Sequence, residues 1–244
     1  MRFIARMYLG ALLACTSFGG VVVADTLTDV QTAFEQRFKG VEVGEVRKAP
    51  LPGLFEVQVG MDVVYVDEAV NYVFQGSLID VESRTDLTEA RKQKLAEVPF
   101  ETLPVELAVK MVRGSGERKI AIFEDPNCPY CKKLHGTLKE MDNITIYSFL
   151  FPVLSQDSVT KARDIWCADS PAQTWQDWML EDNEPETARC DDDPAKDIIA
   201  LGQKLQVRGT PAIFFEDGSR LSGAVPLAKI EAQLKAASST AAGD

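Results

Sequence analysis

The chain has 244 residues, which is enough for one large domain or for two ordinary domains that each bury an apolar core. Its composition, 45% hydrophobic and 26% charged, is that of a globular protein and excludes an intrinsically disordered chain. The formal net charge of −11, together with the lack of any basic run, argues against a nucleic-acid-binding surface.

Residues 1–24 have the pattern of a signal peptide. Arg2 and Arg6 precede an apolar stretch, and small residues end the segment at Ala24, so we expect cleavage after Ala24 and export. Polar residues interrupt the run, which is shorter than the roughly 20 apolar residues that a membrane span needs. Lipidation at Cys15 is the alternative interpretation of the same segment.

Residues 25–84 are predicted to form a small α+β domain. Apolar residues at steps of three and four predict a helix from Leu27 to Phe38. Short β-rich runs between residues 41 and 81, separated by Gly, Pro, Asp and Asn, predict antiparallel strands. A domain of this size has a thin core, so one of its edge strands could pair with a second copy of the chain.

Residues 85–108 are predicted to be a helical linker without a catalytic role. Asp86 and Glu89 have the spacing of a helix-capping box, and few apolar residues follow them. The helix is therefore expected to be mostly solvated, with Pro99 and Pro104 beyond its far end.

Residues 109–236 are predicted to form an α/β domain. An apolar strand at 118–125, a helix that opens at two cysteines and a second strand at 144–151 come first. Helices at 157–168, 171–181 and 194–205 follow, then two strands and a last helix at 226–236. The small, polar residues 237–244 are expected to be a disordered tail.

Four cysteines remain after the predicted cleavage, and an even number in an exported protein suggests disulfide chemistry. Cys128 precedes Pro129, which favours the first turn of a helix, so its sulfur lies where the helix dipole favours a thiolate. Cys131 lies one turn deeper and can reach the first sulfur. A nucleophile with a resolving partner is what thiol–disulfide exchange needs.

A zinc site is the alternative for this pair, but Cys167 and Cys190 do not form a second such motif and His135 is the single histidine. Bridging Cys167 and Cys190 would close a 24-residue loop and stabilise the fold by roughly 3 kcal/mol. We therefore expect Cys128 and Cys131 to be redox-active and Cys167–Cys190 to be a structural disulfide, with a second shuttling pair as the alternative.

Three further side chains near the cysteines have open interpretations. His135 can share a helical face with Cys131, although a packing or solvated role is favoured. Glu124 and Asp125 are close enough in sequence to assist proton transfer, and capping at the surface is an equal alternative.

Gly209, Thr210 and Pro211 stand directly before an apolar strand. Alone, this tripeptide predicts an ordinary trans turn. After a strand–CxxC–helix unit, it completes the signature of the thioredoxin fold, in which a cis-proline loop faces the cysteines.

The ordered set of motifs resembles the DsbC/DsbG family of bacterial periplasmic thiol:disulfide interchange proteins, over about residues 25–236. The motifs that carry the resemblance are "QG" at 75–76, "FEDPNCPYCKKLH" at 123–135, "IWCA" at 165–168, Cys190 and "VRGTPAIFF" at 207–215.

The resemblance implies a cystatin-like N-terminal dimerisation domain, a helical linker and a thioredoxin-like domain with a helical insertion, assembled as a homodimer. It implies a cis Pro211, Cys128 as the attacking thiolate, Cys131 as the resolving thiol, and substrate contacts from Gly209, Thr210 and Pro211. It makes Cys167–Cys190 the non-catalytic bridge and implies a membrane reductant of the DsbD type. No cofactor and no metal are expected.

The expected function is periplasmic isomerisation of non-native disulfides in exported proteins. The familiar family motif has glycine where this chain has Pro129, and residues between the cysteines tune the redox balance. The alternatives are therefore a thiol oxidase or reductase of the DsbG type, and a dimeric chaperone-like protein that binds unfolded chains.

Overall fold

The computed structural model describes residues 26–241, with side chains up to Ser238. The described chain separates into two compact units, with the boundary between Gln75 and Gly76. The predicted signal peptide, including Cys15 and Ala24, lies outside the described residues. Among residues 26–241, no helix is both long enough and apolar enough to cross a membrane.

The first unit is a helix packed on an antiparallel sheet. Helix α1 (Thr26–Arg37) precedes strands β1 (Val43–Lys48), β2 (Leu54–Val59), β3 (Asp62–Asp67) and β4 (Val73–Phe74), which lie in that order in the sheet. Val30 and Phe34, one helical turn apart, are buried against apolar side chains of the sheet. The predicted small α+β domain with antiparallel strands is confirmed, and β4 forms one edge of its sheet.

A short hairpin and a solvated helix follow the boundary. Strands β5 (Ile79–Asp80) and β6 (Thr85–Asp86) pair with each other and lead into α2 (Leu87–Leu95). The Asp86 carboxylate accepts a hydrogen bond from the Glu89 backbone N–H at 2.9 Å, so the predicted cap is confirmed. Thr88 is the single buried residue of α2, which is therefore mostly solvated, as expected.

The second unit has a five-stranded mixed sheet, formed by β7 (Val109–Arg113), β8 (Arg118–Glu124), β9 (Ile144–Leu150), β10 (Ala212–Phe215) and β11 (Arg220–Ser222). The strands lie in the order β11-β10-β8-β9-β7. Strands β8 and β9 are parallel, and the other neighbours are antiparallel. Helices cover both faces, so β8 is a continuous apolar run, whereas the unpredicted edge strand β7 alternates buried and exposed residues.

Five helices surround this sheet: α3 (Pro129–Leu138), α4 (Gln156–Trp166), α5 (Pro171–Glu181), α6 (Ala195–Lys204) and α7 (Leu227–Ala241). One core lies on the face covered by α3, α5 and α7, and a second core on the other face includes residues of α6 and buried Phe100. The predicted helix positions are confirmed to within a few residues. The expected disordered tail is wrong for residues 237–241, because an alanine-rich segment continues α7 and Ala237 is buried in the core.

Candidate active site

The end of β8 and the start of α3 place the two cysteines. The backbone N–H of Cys128 donates to the carbonyl oxygen of Asp125 at 3.0 Å, which closes a turn after the strand. Cys128 is the N-cap residue of α3, and Pro129 occupies its first turn. The backbone N–H of Cys131 then donates to the Cys128 carbonyl oxygen at 3.0 Å. Both cysteines carry free thiols.

The tripeptide at 209–211 lies against the first thiol, although it is far away in sequence. The thiol of Cys128 donates to the carbonyl oxygen of Thr210 at 3.4 Å, and the Thr210–Pro211 peptide bond is cis. Gly209, which precedes Thr210, is exposed. The fold therefore brings Cys128, Cys131, Thr210 and Pro211 together at one end of the sheet.

The two cysteines have different surroundings. Both cysteines are buried in the same apolar core, with Cys128 4% and Cys131 0% exposed, and burial raises the pKa of Cys131 far above the ordinary value of 9.0. The negative charge of Glu124 raises the pKa of Cys131 further. Cys131 is thus held as a neutral thiol, whereas Cys128 lies at the N-terminus of a helix, where backbone N–H groups and the helix dipole stabilise negative charge.

A buried polar cluster lies beside Cys131. The His135 imidazole Nε2 is 2.9 Å from Glu124 Oε2, and the Ser148 hydroxyl donates to Glu124 Oε1 at 2.8 Å. Glu124, His135 and Ser148 are all completely or almost completely buried. The surface-capping alternative for Glu124 is therefore wrong, and His135 packs inside the fold. Glu124 is the last residue of the mostly apolar strand β8, and this position was the one sequence signal that pointed toward the interior.

Asp125 holds the cysteine loop to a neighbouring segment and is also fully buried, so surface capping is wrong for this residue as well. One carboxylate oxygen accepts the backbone N–H groups of Val153 and Leu154 at 2.8 and 2.9 Å. The other oxygen accepts the backbone N–H of Asn127 and the hydroxyl of Ser158, both at 2.8 Å. Asp125 thus fixes the turn that carries Cys128.

Helix α5 supports the same turn through a tryptophan that sequence reasoning missed. The indole N–H of Trp178 donates to the Pro126 carbonyl oxygen at 2.7 Å. The ammonium group of Lys132 lies 3.6 Å from the centre of the Trp178 ring, and Lys132 also pairs with Asp182. In the sequence, Trp178 has only the signal of an ordinary core residue.

Exposed apolar side chains border the cysteines. Tyr130, between the two cysteines, is 62% exposed, and Val153 and Leu154 are exposed on the segment that Asp125 holds. These exposed apolar side chains near the thiols are available for contact with another molecule.

The other two cysteines lie apart from this site. Cys167 is the C-cap of α4 and forms a disulfide bond with Cys190, which lies in the irregular segment between α5 and α6. The disulfide connects the helical insertion to itself and leaves neither sulfur free to join Cys128 and Cys131.

Comparisons with known proteins match both units. The family model described as "Disulfide bond isomerase protein N-terminal domain" matches residues 21–89, and the model described as "Thioredoxin-like domain" matches residues 105–238.

Two curated relatives each match most of the chain, and one solved structure matches about half of it. The "Probable thiol:disulfide interchange protein DsbC" of Bordetella pertussis is 57% identical over 84% of this chain and 73% of its own length. The "Thiol:disulfide interchange protein DsbC" of Escherichia coli is 28% identical over 86% of this chain and 87% of its own. A crystal structure of a disulfide interchange protein from Neisseria gonorrhoeae is 35% identical, with a TM-score of 0.53, and covers 55% of this chain and 97% of its own.

Proposed function

Because the chain belongs to the DsbC family of thiol:disulfide interchange proteins, we propose that it reshuffles non-native disulfides in exported proteins through the thiol of Cys128. The observation that carries the proposal is the asymmetry of the pair. Both are buried, but Cys128 begins a helix and contacts Thr210, whereas Cys131 is completely enclosed and kept neutral.

In the proposed first step, the Cys128 thiolate attacks one sulfur of a client disulfide. A mixed disulfide forms between Cys128 and the client, and the other client sulfur leaves as a thiolate. A second client thiolate then attacks the client sulfur of the mixed disulfide, which forms a new client disulfide and restores the Cys128 thiolate. No electrons are gained or lost overall, so the cycle is an isomerisation.

Cys131 releases the client when the mixed disulfide does not rearrange. Its thiolate attacks the Cys128 sulfur, the client leaves reduced, and the Cys128–Cys131 disulfide forms. A membrane reductant of the DsbD type would return the two electrons. Since Cys131 must first lose its proton, the buried carboxylate of Glu124, whose charge acts on Cys131, is the proposed proton acceptor. His135 and Ser148 hold that carboxylate in place.

The proposed client site combines a polar loop with an apolar rim. Gly209, Thr210 and Pro211 would bind the backbone of an extended client segment, while Tyr130 and Leu154 contact its apolar side chains. Unfolded clients expose apolar side chains that could contact this rim. The same exposed rim also supports a chaperone-like contribution.

We propose that two chains associate through the first unit. Residues 25–84 would form the dimerisation domain, 85–108 the linker and 109–236 the catalytic domain. The support is β4, an edge strand of the described sheet, where Val73 and Phe74 are exposed, as is Tyr72 directly before them. An exposed apolar edge strand is a ready template for pairing with another chain. Residues 1–24 would direct the protein to the periplasm.

Refolding of a scrambled protein with several disulfides tests the proposal. The wild-type protein should restore the activity of the client, and Cys128→Ala should not. If Cys128→Ala restores it equally well, the thiol mechanism is wrong. A variant that prevents aggregation without correcting disulfides would support the chaperone alternative. Mostly oxidised Cys128 and Cys131 in the periplasm would favour the oxidase alternative.

A further inference from the structure

A cationic pocket lies beside the proposed client loop. A cavity of about 290 Å³ is lined by Gly209, Thr210 and Pro211 and by the two arginines Arg208 and Arg220. None of the thiol chemistry described above uses these arginines.

Arg220 is fixed in a half-buried position at the start of β11. Its Nη1 donates to the Leu205 carbonyl oxygen at 3.0 Å, and its guanidinium carbon lies 6.0 Å from the centre of the Phe214 ring. Burial lowers the pKa of Arg220, and the positive charge of Arg208 lowers it further. Arg208 donates through Nη2 to Gln206 Oε1 at 3.4 Å. Because the two positively charged groups line one pocket, a bound anion would interact favourably with both.

The pocket and the reacting sulfur share one loop. Thr210 lines the pocket, and its carbonyl oxygen is 3.4 Å from the Cys128 sulfur. Arg208 precedes Thr210 by two residues. Because an extended chain advances by about 3.3 Å per residue, a client segment that runs beside residues 208–210 would place a side chain two or three residues from the attacked cysteine near the pocket.

We propose that Arg208 and Arg220 form a subsite for a carboxylate of the client, from an Asp or Glu close to the attacked cysteine. Guanidinium groups bind carboxylates through paired, charge-assisted hydrogen bonds. The inference rests on the proposed function, because it assumes that a client segment lies along the 209–211 loop. The chain carries a net charge of −11, so its overall field favours basic clients. Next to the cysteines, the two arginines would instead favour acidic residues of the client.

The test uses short peptides with one cysteine in a disulfide with a small chromophoric thiol. The peptides differ only in Glu, Gln or Lys two residues from the cysteine, in one set before it and in another after it. The second-order rate constant of chromophore release by the reduced full-length protein is divided by that of glutathione with the same peptide. This ratio removes the effect of the neighbouring charge on the disulfide itself.

In at least one of the two sets, we expect the corrected rate for Glu to exceed that for Gln by about fivefold, with Lys slowest, and the preference to decrease as salt is added. Arg208→Gln and Arg220→Gln should each abolish most of the preference. Lys229→Gln, which removes one positive charge from an exposed site on α7, should retain it. Arg208 is exposed, so its variant remains informative if Arg220→Gln does not fold.

Two results overturn the inference and leave the proposed function standing: equal corrected rates for the three peptides in both sets, or an equal slowing of all peptides in the arginine variants. A preference that Lys229→Gln abolishes equally also overturns it, since the overall field would then be the cause. Failure to react with any peptide contradicts the proposed function instead.

Discussion

Replacement of Asp125 by alanine should weaken the catalytic unit more than any change of an exposed charge. The carboxylate accepts four hydrogen bonds, from the backbones of Asn127, Val153 and Leu154 and from the Ser158 hydroxyl, all between 2.8 and 2.9 Å. A hydrogen bond to a charged group contributes about 1.5–3 kcal/mol. Water can replace part of the carboxylate, so we expect a total loss of about 3–5 kcal/mol.

Urea unfolding followed by tryptophan fluorescence measures this loss. All three tryptophans, Trp166, Trp175 and Trp178, lie in the second unit, so the signal reports that unit in the full-length chain. Asp125→Asn should lose most of the same unfolding free energy. Its NH2 group would replace one carboxylate oxygen and would then face N–H or O–H donors, to which it cannot form hydrogen bonds. A loss of about 3–5 kcal/mol is a large part of the roughly 5–15 kcal/mol of a typical domain.

Glu216→Ala is the control. The Glu216 carboxylate is exposed and pairs with Lys119 at 2.9 Å, at the end of β10 that lies away from the cysteines, so its loss should cost less than about 1 kcal/mol. If Asp125→Ala is no less stable than Glu216→Ala, then the buried carboxylate does not hold the cysteine loop.

The remaining predictions concern a thiol, an interface and a disulfide. Above pH 9.0, the Cys131 thiol ionises in the unfolded chain but keeps its proton in the folded protein, where it is buried. The unfolding free energy of the reduced wild-type protein should therefore fall with pH more steeply than that of Cys131→Ala, by up to about 1.4 kcal/mol per pH unit. Val73→Glu, at the exposed edge of β4, should convert a dimer into monomers in sedimentation velocity. Cys167→Ala/Cys190→Ala should lower the unfolding free energy by about 3 kcal/mol while exchange activity is retained at low temperature.

A specific result would contradict each of these predictions. Equal pH dependence of the wild type and the Cys131 variant would show that the thiol is not kept neutral by burial. Val112→Glu is the interface control, since Val112 is similarly exposed on edge strand β7 of the other unit, at 53% compared with 45% for Val73. A dimer that survives Val73→Glu rules out the β4 edge. Loss of all exchange activity in a folded disulfide variant would give that pair a redox role.

Local signals in the sequence were sufficient for most of the fold. Helix α3 was predictable because a turn, Cys128 and Pro129 form a helix start, and the apolar run of β8 is typical of a strand covered on both faces. Strand β7 was not predicted, because its alternation over only five residues is a weak signal and its pairing with β9 is remote in sequence. The continuation of α7 past residue 236 depends on the contact of Ala237 with the core.

Sequence spacing and family motifs predicted the reactive residues of the candidate site but not the buried polar groups around them. Cys128 and Cys131 follow from their spacing, whereas the burial of Glu124 and Asp125 depends on helices that fold over the end of β8. The pairing of Glu124 with Ser148 joins neighbouring strands whose register is not encoded locally. Arg208 and Arg220 line one pocket because β10 and β11 pair as antiparallel strands, which the sequence does not encode locally.

The covalent intermediate is the most direct test of the central claim, that Cys128 attacks client disulfides and Cys131 releases the client. A Cys131→Ala variant, incubated with a scrambled client and quenched with acid, is digested and mapped by mass spectrometry. The account predicts a mixed disulfide between Cys128 and a client cysteine, in greater amount than with the wild-type protein. The absence of any client bound to Cys128, with isomerisation still proceeding in a Cys128→Ala variant, would contradict it.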